Sequence, residues 1–248
     1  LNNPPTQVDL TPYLELQEDP ENRFGAPDLS GDGFNARFEP LYRKTANYGF
    51  SDSDWWVRFK VRNTDAGHQN LTFKRDYPLL DHVDVWVMSG DALVRSWQTG
   101  NREPFTSRAI GHRDFLFPLS LANQEEQTVY IRVRTKGPVN IGLTHFCDRT
   151  LLPKIELEYL VFGAYFGGFL LLALCISLLY MMDRQVAFLY YLTYIISYGS
   201  YMLAFNGLAF QYLWPEAPGF GQISRPVLLT LSIIFLLQFC RSLLGIRK

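Results

Sequence analysis

The chain has 248 residues, with 23 basic and 24 acidic side chains and a formal net charge of −1. That average hides a split: residues 1–158 carry 18 Lys/Arg and 22 Asp/Glu, whereas residues 159–248 carry 5 and 2, for nets of −4 and +3. Ninety residues with seven charges exclude a wholly soluble enzyme, and the acidic first part excludes a nucleic-acid binder, which needs a basic surface.

The composition predicts a water-facing domain over residues 1–150, long enough to bury a core, and the start of a membrane domain over 151–248. The chain begins with Leu1 rather than Met and stops soon after an apolar run. A removed signal peptide and a missing downstream part are therefore expected. Leu10 to Leu16 suits a helical turn or an edge strand. Asp28-Leu29-Ser30-Gly31-Asp32-Gly33, followed by Glu39, has the ligand spacing of an EF-hand-type loop. Calcium held by Asp28, Ser30, Asp32 and Glu39 is one expectation. Pro27 and Asn35 depart from that pattern, and the plainer reading is a surface turn. No other cofactor is expected.

From Trp55 to Val61 the residues alternate, with Trp55, Val57, Phe59 and Val61 on one face and Trp56, Arg58 and Lys60 on the other. A period of two marks a half-buried strand. The alternation resumes at Leu71/Phe73, Val83/Val85/Val87, Leu93 to Trp97, Phe115 to Phe117, Val129/Ile131/Val133 and Val139/Ile141/Leu143. Turn residues separate these segments, so an all-β jelly-roll sandwich is predicted.

Tyr159 to Met182 is 24 residues without a charge, enough to span a bilayer as a helix. Hydropathy predicts further helices over about 186–213 and 222–242, giving an α-helical transmembrane bundle with three helices present. Trp214-Pro215 ends the second as an interfacial belt. Arg184, Arg241, Arg247 and Lys248 fall on one side, so the positive-inside rule puts the C-terminal end in the cytoplasm and the strand domain outside. No charge lies mid-helix, which argues against a transporter. Gly163/Gly167 and Ala164/Gly168 form small-xxx-small pairs, while Tyr190, Tyr194, Tyr198 and Tyr201 fall on one stripe. Both suit helix packing or a homodimer face.

Cys147, Cys175 and Cys240 give no disulfide framework. The four histidines are scattered, and no nucleophile, nucleotide or kinase motif appears. No enzyme activity is expected of this chain.

Several short segments carry a resemblance: Asp9-Leu10-Thr11-Pro12-Tyr13-Leu14, Asn47-Tyr48-Gly49-Phe50, Trp56-Val57-Arg58-Phe59, Tyr77-Pro78-Leu79-Leu80-Asp81, Gly100 through Phe105 and Tyr130-Ile131-Arg132-Val133. Asn206 to Pro215 and Phe239 to Gly245 extend it into the apolar part. Together they resemble bacterial seven-transmembrane receptors with diverse intracellular signalling modules, with a type 2 extracellular sensor domain. The resemblance implies a jelly roll that looks like carbohydrate-binding modules, then seven helices and a cytoplasmic output such as a histidine kinase, diguanylate cyclase or phosphatase. This chain departs by ending after three helices.

The function that follows is a receptor in the bacterial inner membrane. Its periplasmic sandwich senses a small ligand, carbohydrate included, and its helices relay that event to a missing output domain. The alternative is a membrane-anchored carbohydrate-binding or adhesion protein. Trp56, Arg58, Trp86 and Arg132 all fall out of phase with the apolar stripes and form the candidate recognition face, since rings beside guanidinium groups suit a sugar or a carboxylate. The plainer reading is a structural cation–π pair of Trp56 and Arg58, worth about 0.5–2 kcal/mol.

Overall fold

The structure, a computed structural model, describes residues 7–41, 47–64, 67, 69–75 and 77–245. The chain divides into two compact units, Leu1–Leu152 and Pro153–Lys248.

In the first unit the alternating segments form strands paired antiparallel throughout, except that the predicted strand at Val139/Ile141/Leu143 is corrected to Pro138–Asn140 alone, with Ile141 and Leu143 in the irregular stretch that follows; further short strands join them. They are β1 (Gln7–Asp9), β2 (Glu15–Asp19), β3 (Glu39–Pro40), β4 (Asn47–Phe50), β5 (Asp54–Arg62), β6 (Gln69–Arg75), β7 (His82–Ser89), β8 (Ala92–Thr99), β9 (Phe115–Leu121), β10 (Glu126–Arg134), β11 (Pro138–Asn140) and β12 (Thr144–Cys147). A four-stranded sheet runs β1-β12-β6-β9, a six-stranded sheet β3-β2-β5-β10-β7-β8, and β11 pairs with β4. The fold is a jelly-roll sandwich. Its core is the set of in-phase side chains from both sheets, including Val57, Phe59, Val85 and Ile131 from one and Phe73, Phe115 and Phe117 from the other. Phe59 meets Phe73 edge-on with centroids 4.9 Å apart. Each such side chain contributes about 1.5–3 kcal/mol by leaving water.

Leu10 to Leu16 provides both predicted elements in turn, a 3-10 turn at Thr11–Tyr13 and then β2. β2 pairs with β5 along its whole length, but with β3 only at Glu15 and Leu16. After β8, the chain passes so close to Asp81 that a Cβ on Gly100 would overlap the Asp81 carbonyl oxygen. That approach lets Asn101 N–H donate to the Leu80 carbonyl at 2.7 Å.

One segment figures in the sequence reading only as a calcium loop or a surface turn. Between β2 and β3 the chain forms a 3-10 helix, Ala26–Ser30, and a single α-turn, α1 (Asp32–Asn35). This segment lies on the outer face of the six-stranded sheet. There Leu29, Phe34 and Phe38 build a second apolar cluster with Trp56, Trp86, Met88 and Tyr130, flanked by Phe24.

The second unit contains three long apolar helices and one short one: α2 (Asp148–Asp183), α3 (Val186–Phe205), α4 (Leu208–Tyr212) and α5 (Pro218–Leu243). α2 begins before the expected residue 159, and α5 begins at 218 rather than 222. The second predicted helix, 186–213, is corrected to two pieces. Asn206 and Gly207 interrupt it, with Gly207 at φ +78°, a conformation glycine adopts without steric cost. Hydropathy could not register that break, because the residues on both sides are apolar. Within the helices, Ser177, Thr193, Ser197 and Thr230 donate their hydroxyls to carbonyls four residues back, which satisfies them without water. Tyr191, Tyr194, Tyr198 and Tyr201 form a ring ladder along α3, with Phe205 at its end and Phe239 of α5 against Tyr191. Gly163, Gly167 and Gly168 have open space beside their Cα atoms.

Candidate functional site

The strand phases bring the four predicted ligand residues onto one face, as expected. Trp56 lies opposite Arg132, Arg132 opposite Asp84, and Arg58 opposite Tyr130, which in turn faces Trp86. What the sequence could not show is the cover. Trp56 is 0% exposed and Trp86 is 4% exposed. They stack at 5.3 Å, and Phe34 packs edge-on against Trp56 at 5.0 Å. The expectation of an open recognition face is therefore corrected: the 24–38 segment roofs it.

The expected pairing of Trp56 with Arg58 is also redrawn. Arg132 takes that place, its guanidinium carbon 5.5 Å from the Trp56 ring and 5.4 Å from the Trp86 ring. Arg58 instead lies over Phe38 at 4.4 Å.

Arg58, Arg132 and Arg134 each meet a carboxylate directly across a strand boundary. Arg58 Nε donates to Glu15 Oε2 at 2.6 Å, and Arg132 Nη2 to Asp84 Oδ2 at 2.6 Å. Arg134 donates to both Asp54 oxygens at 2.6 Å. The hydrogen bond to Asp54 raises the Arg134 guanidinium above its ordinary value, and burial works against that rise.

Asn35 ties the roof down. Its Oδ1 accepts from Arg58 Nη1 at 2.9 Å and from Tyr130 Oη at 2.7 Å, while its Nδ2 donates to the Leu29 and Gly31 carbonyls. Both lone pairs and both N–H groups of the amide are used. In the sequence, Asn35 stood out only as a mismatch to a calcium loop.

The residues of that loop take other roles. Asp28 Oδ2 accepts the Gly25 N–H at 2.8 Å, Ser30 ends the 3-10 helix, Asp32 opens α1 and Glu39 pairs with Leu16. Among the described residues, the carboxylates of Asp28, Asp32 and Glu39 do not gather within 4.8 Å of one another.

Beside the roof, at the edge of β2, lies a cleft of about 490 Å³ whose lining includes Gln17, Glu18, Arg37, Glu39, Tyr48 and Trp55. Its size falls within the range of about 300–1,000 Å³ common for small-molecule sites. Tyr48 and Trp55 form its aromatic wall, with centroids 4.0 Å apart. Gln17 is 5% exposed, and neither atom of its amide has a hydrogen-bond partner; the Trp55 indole N–H likewise has none. Sequence reasoning missed this site because its walls come from β2, α1's exit, β3, β4 and β5. Trp55 read there only as a core residue.

The family model described as 7TMR-DISM extracellular 2 matches residues 11–146. The model described as 7TM diverse intracellular signalling matches residues 158–248. No curated protein sequence matches the chain. Among solved structures, the chain is similar to TmCBM61 in complex with beta-1,4-galactotriose, at 9% identity and a TM-score of 0.27, over 57% of this chain and 87% of that one. That likeness is too slight to carry weight. The two family matches follow one another along nearly the whole chain, one on the sandwich and one on the apolar helices. The chain belongs to the seven-transmembrane receptors with diverse intracellular signalling modules, as a membrane sensor with an extracytoplasmic N-terminal domain.

Proposed function

We propose that this receptor sits in the bacterial inner membrane with its sandwich in the periplasm. There it senses a small soluble ligand and passes the event through α2, α3 and α5 to a cytoplasmic output module. The observation that carries this reading is a ligand-sized cleft in the sandwich of a chain whose next segment is membrane helix. Adhesion would need only an anchor. Here α3 carries a ladder of tyrosine rings that meets Phe239 of α5, a contact through which a shift of one helix moves the other.

The test is a chimera with a histidine-kinase output fused after residue 248. Deleting residues 7–147 should lock the output on or off, whereas output indifferent to the sandwich overturns the proposal. Alkaline phosphatase inserted near Phe220 should be active and a cytoplasmic reporter after Lys248 should function; the reverse pattern overturns the orientation.

A further inference from the structure

We infer that the sandwich holds a second small-molecule site, at the other edge of the six-stranded sheet from the β2 cleft, and that this site takes an aliphatic amino acid. The inference goes beyond the sensor reading, since binding there is measurable whatever the receptor's output.

Among the described residues, β8 and β9 each end their sheet, so the gap between the two sheets opens there. A cavity of about 120 Å³ lies in that opening, and its lining includes Val87, Val94, Arg95, Trp97, Leu119 and Gln127. The strand register puts these residues on one side. Arg95 lies opposite Val87 and Trp97 opposite Val85, while Gln127 stands two residues before Val129, itself opposite Val87. Val85, Val87, Leu119 and Val129 belong to the core between the sheets. Arg95, Trp97 and Gln127 therefore share their inward phase. Val94 is the extra residue of a bulge and has no partner on β7, which re-aims its side chain to the cavity.

The cavity has two polar ends and an apolar middle. At one end Gln127, 2% exposed, reaches across to β9. Its Nε2 donates to the Ser120 carbonyl at 3.3 Å and to Glu125 Oε1 at 2.8 Å. Those two acceptors fix the amide's orientation and leave Oε1 without a partner. A buried acceptor in that state is costly, and native proteins contain few. With the Glu125 carboxylate beside the amide, the group called for is a cationic donor. At the other end Arg95 is exposed, its guanidinium carbon 5.6 Å from the Trp97 ring, and among the described residues it meets no carboxylate. A ligand carboxylate suits it, through two parallel hydrogen bonds. Between the ends, Val87, Val94 and Leu119 offer no polar side-chain atom. A polyol would leave its hydroxyls unmatched along this stretch. An apolar cavity of about 150 Å³ takes benzene, so a body of about four to six carbons fits here. An ammonium, a carboxylate and a short hydrocarbon body together make an aliphatic amino acid.

The experiment titrates the whole chain, in detergent micelles, with leucine and with δ-aminovalerate by calorimetry. Each is compared with its counterpart lacking the ammonium (isocaproate, valerate) and with the one lacking the carboxylate (isoamylamine, butylamine). At least one of the two amino acids should bind tenfold or more tightly than both its counterparts. Arg95→Gln, at the exposed rim, should weaken it at least tenfold. Val94→Phe, at a side chain 53% exposed, fills the cavity without emptying the core, and should abolish binding at an unchanged melting temperature. Gln127→Leu should erase the preference for the amino acid over its deaminated counterpart. Arg37→Gln, in the β2 cleft, should change nothing. A counterpart that binds as tightly as its amino acid, or no binding by either amino acid, overturns the ligand class. Binding that survives Val94→Phe or Arg95→Gln overturns the location. Either failure leaves the sensor reading to be judged by the chimera.

Discussion

The two faces of the six-stranded sheet are built from opposite materials, yet each shuts its large rings away from water. The inner face is aliphatic and aromatic, with Val57, Phe59, Val85, Ile131 and Val133 sealed against the other sheet. The outer face alternates rings with charges, yet Trp56 is as inaccessible as Val57, both at 0%. The inner face needs only complementary shape. The outer one needs every guanidinium matched to a carboxylate and the roof pinned by Asn35, because an unmatched buried charge is far more costly than an imperfect apolar contact. A polar face, then, is not the same as an open face.

The sharpest way to break this comparison is to truncate one large ring on each side. Trp56→Ala and Phe59→Ala should each cost about 3–5 kcal/mol, the usual range for emptying a buried aromatic site. Chemical denaturation would show it, and a cheap Trp56→Ala would mean that the roof does not close. Arg134→Ala comes next. It leaves Asp54, 0% exposed, with Arg132 Nε 4.0 Å away as its remaining cation. Because Arg134 itself is half exposed and Arg132 compensates in part, the expected cost is about 2–3 kcal/mol, below the full price of an orphaned buried charge. Asn35→Ala should cost about 1–2 kcal/mol and speed proteolysis within residues 20–38, since the loss falls on the roof. Uniform protease resistance would refute its role as the tie.

The smallest effect concerns pH. His145 lies directly opposite Phe73, and burial pushes its imidazole below the usual value of 6.5. The folded state then holds fewer protons than the unfolded one in the window just below 6.5. Stability should be full above that pH and decline as the pH falls through it. His145→Gln should flatten this dependence in melting curves taken from pH 7.5 downward, and an unchanged slope would assign it to other groups.

The longer sandwich strands were legible because they are half-buried and so alternate, as β5 and β10 do, whereas β1, β3, β4 and β12, of two to four residues, are too short to show a period. The same alternation placed Trp56, Arg58, Trp86 and Arg132 on one face. It could not report the roof, because a five-residue 3-10 helix and a four-residue α-turn are too short to show a period. Nor could it find the cleft, whose lining residues Gln17, Arg37, Tyr48 and Trp55 meet only once the sheet has formed. In the membrane part, hydropathy found three spans but not the Gly207 break, which depends on a backbone angle rather than on polarity.

β3 contains only Glu39 and Pro40. Past Leu16, among the described residues, the outer edge of β2 therefore has no strand beside it. Such an edge is a template on which a neighbouring copy can add a strand, and receptors in one membrane are held at high local density. The sequence that continues from this edge is Glu18-Asp19-Pro20-Glu21, with Glu18, Pro20 and Glu21 exposed. A like strand laid against it would bring carboxylates together and meet a proline that lacks an N–H. The edge thus disfavours polymerisation into a shared sheet.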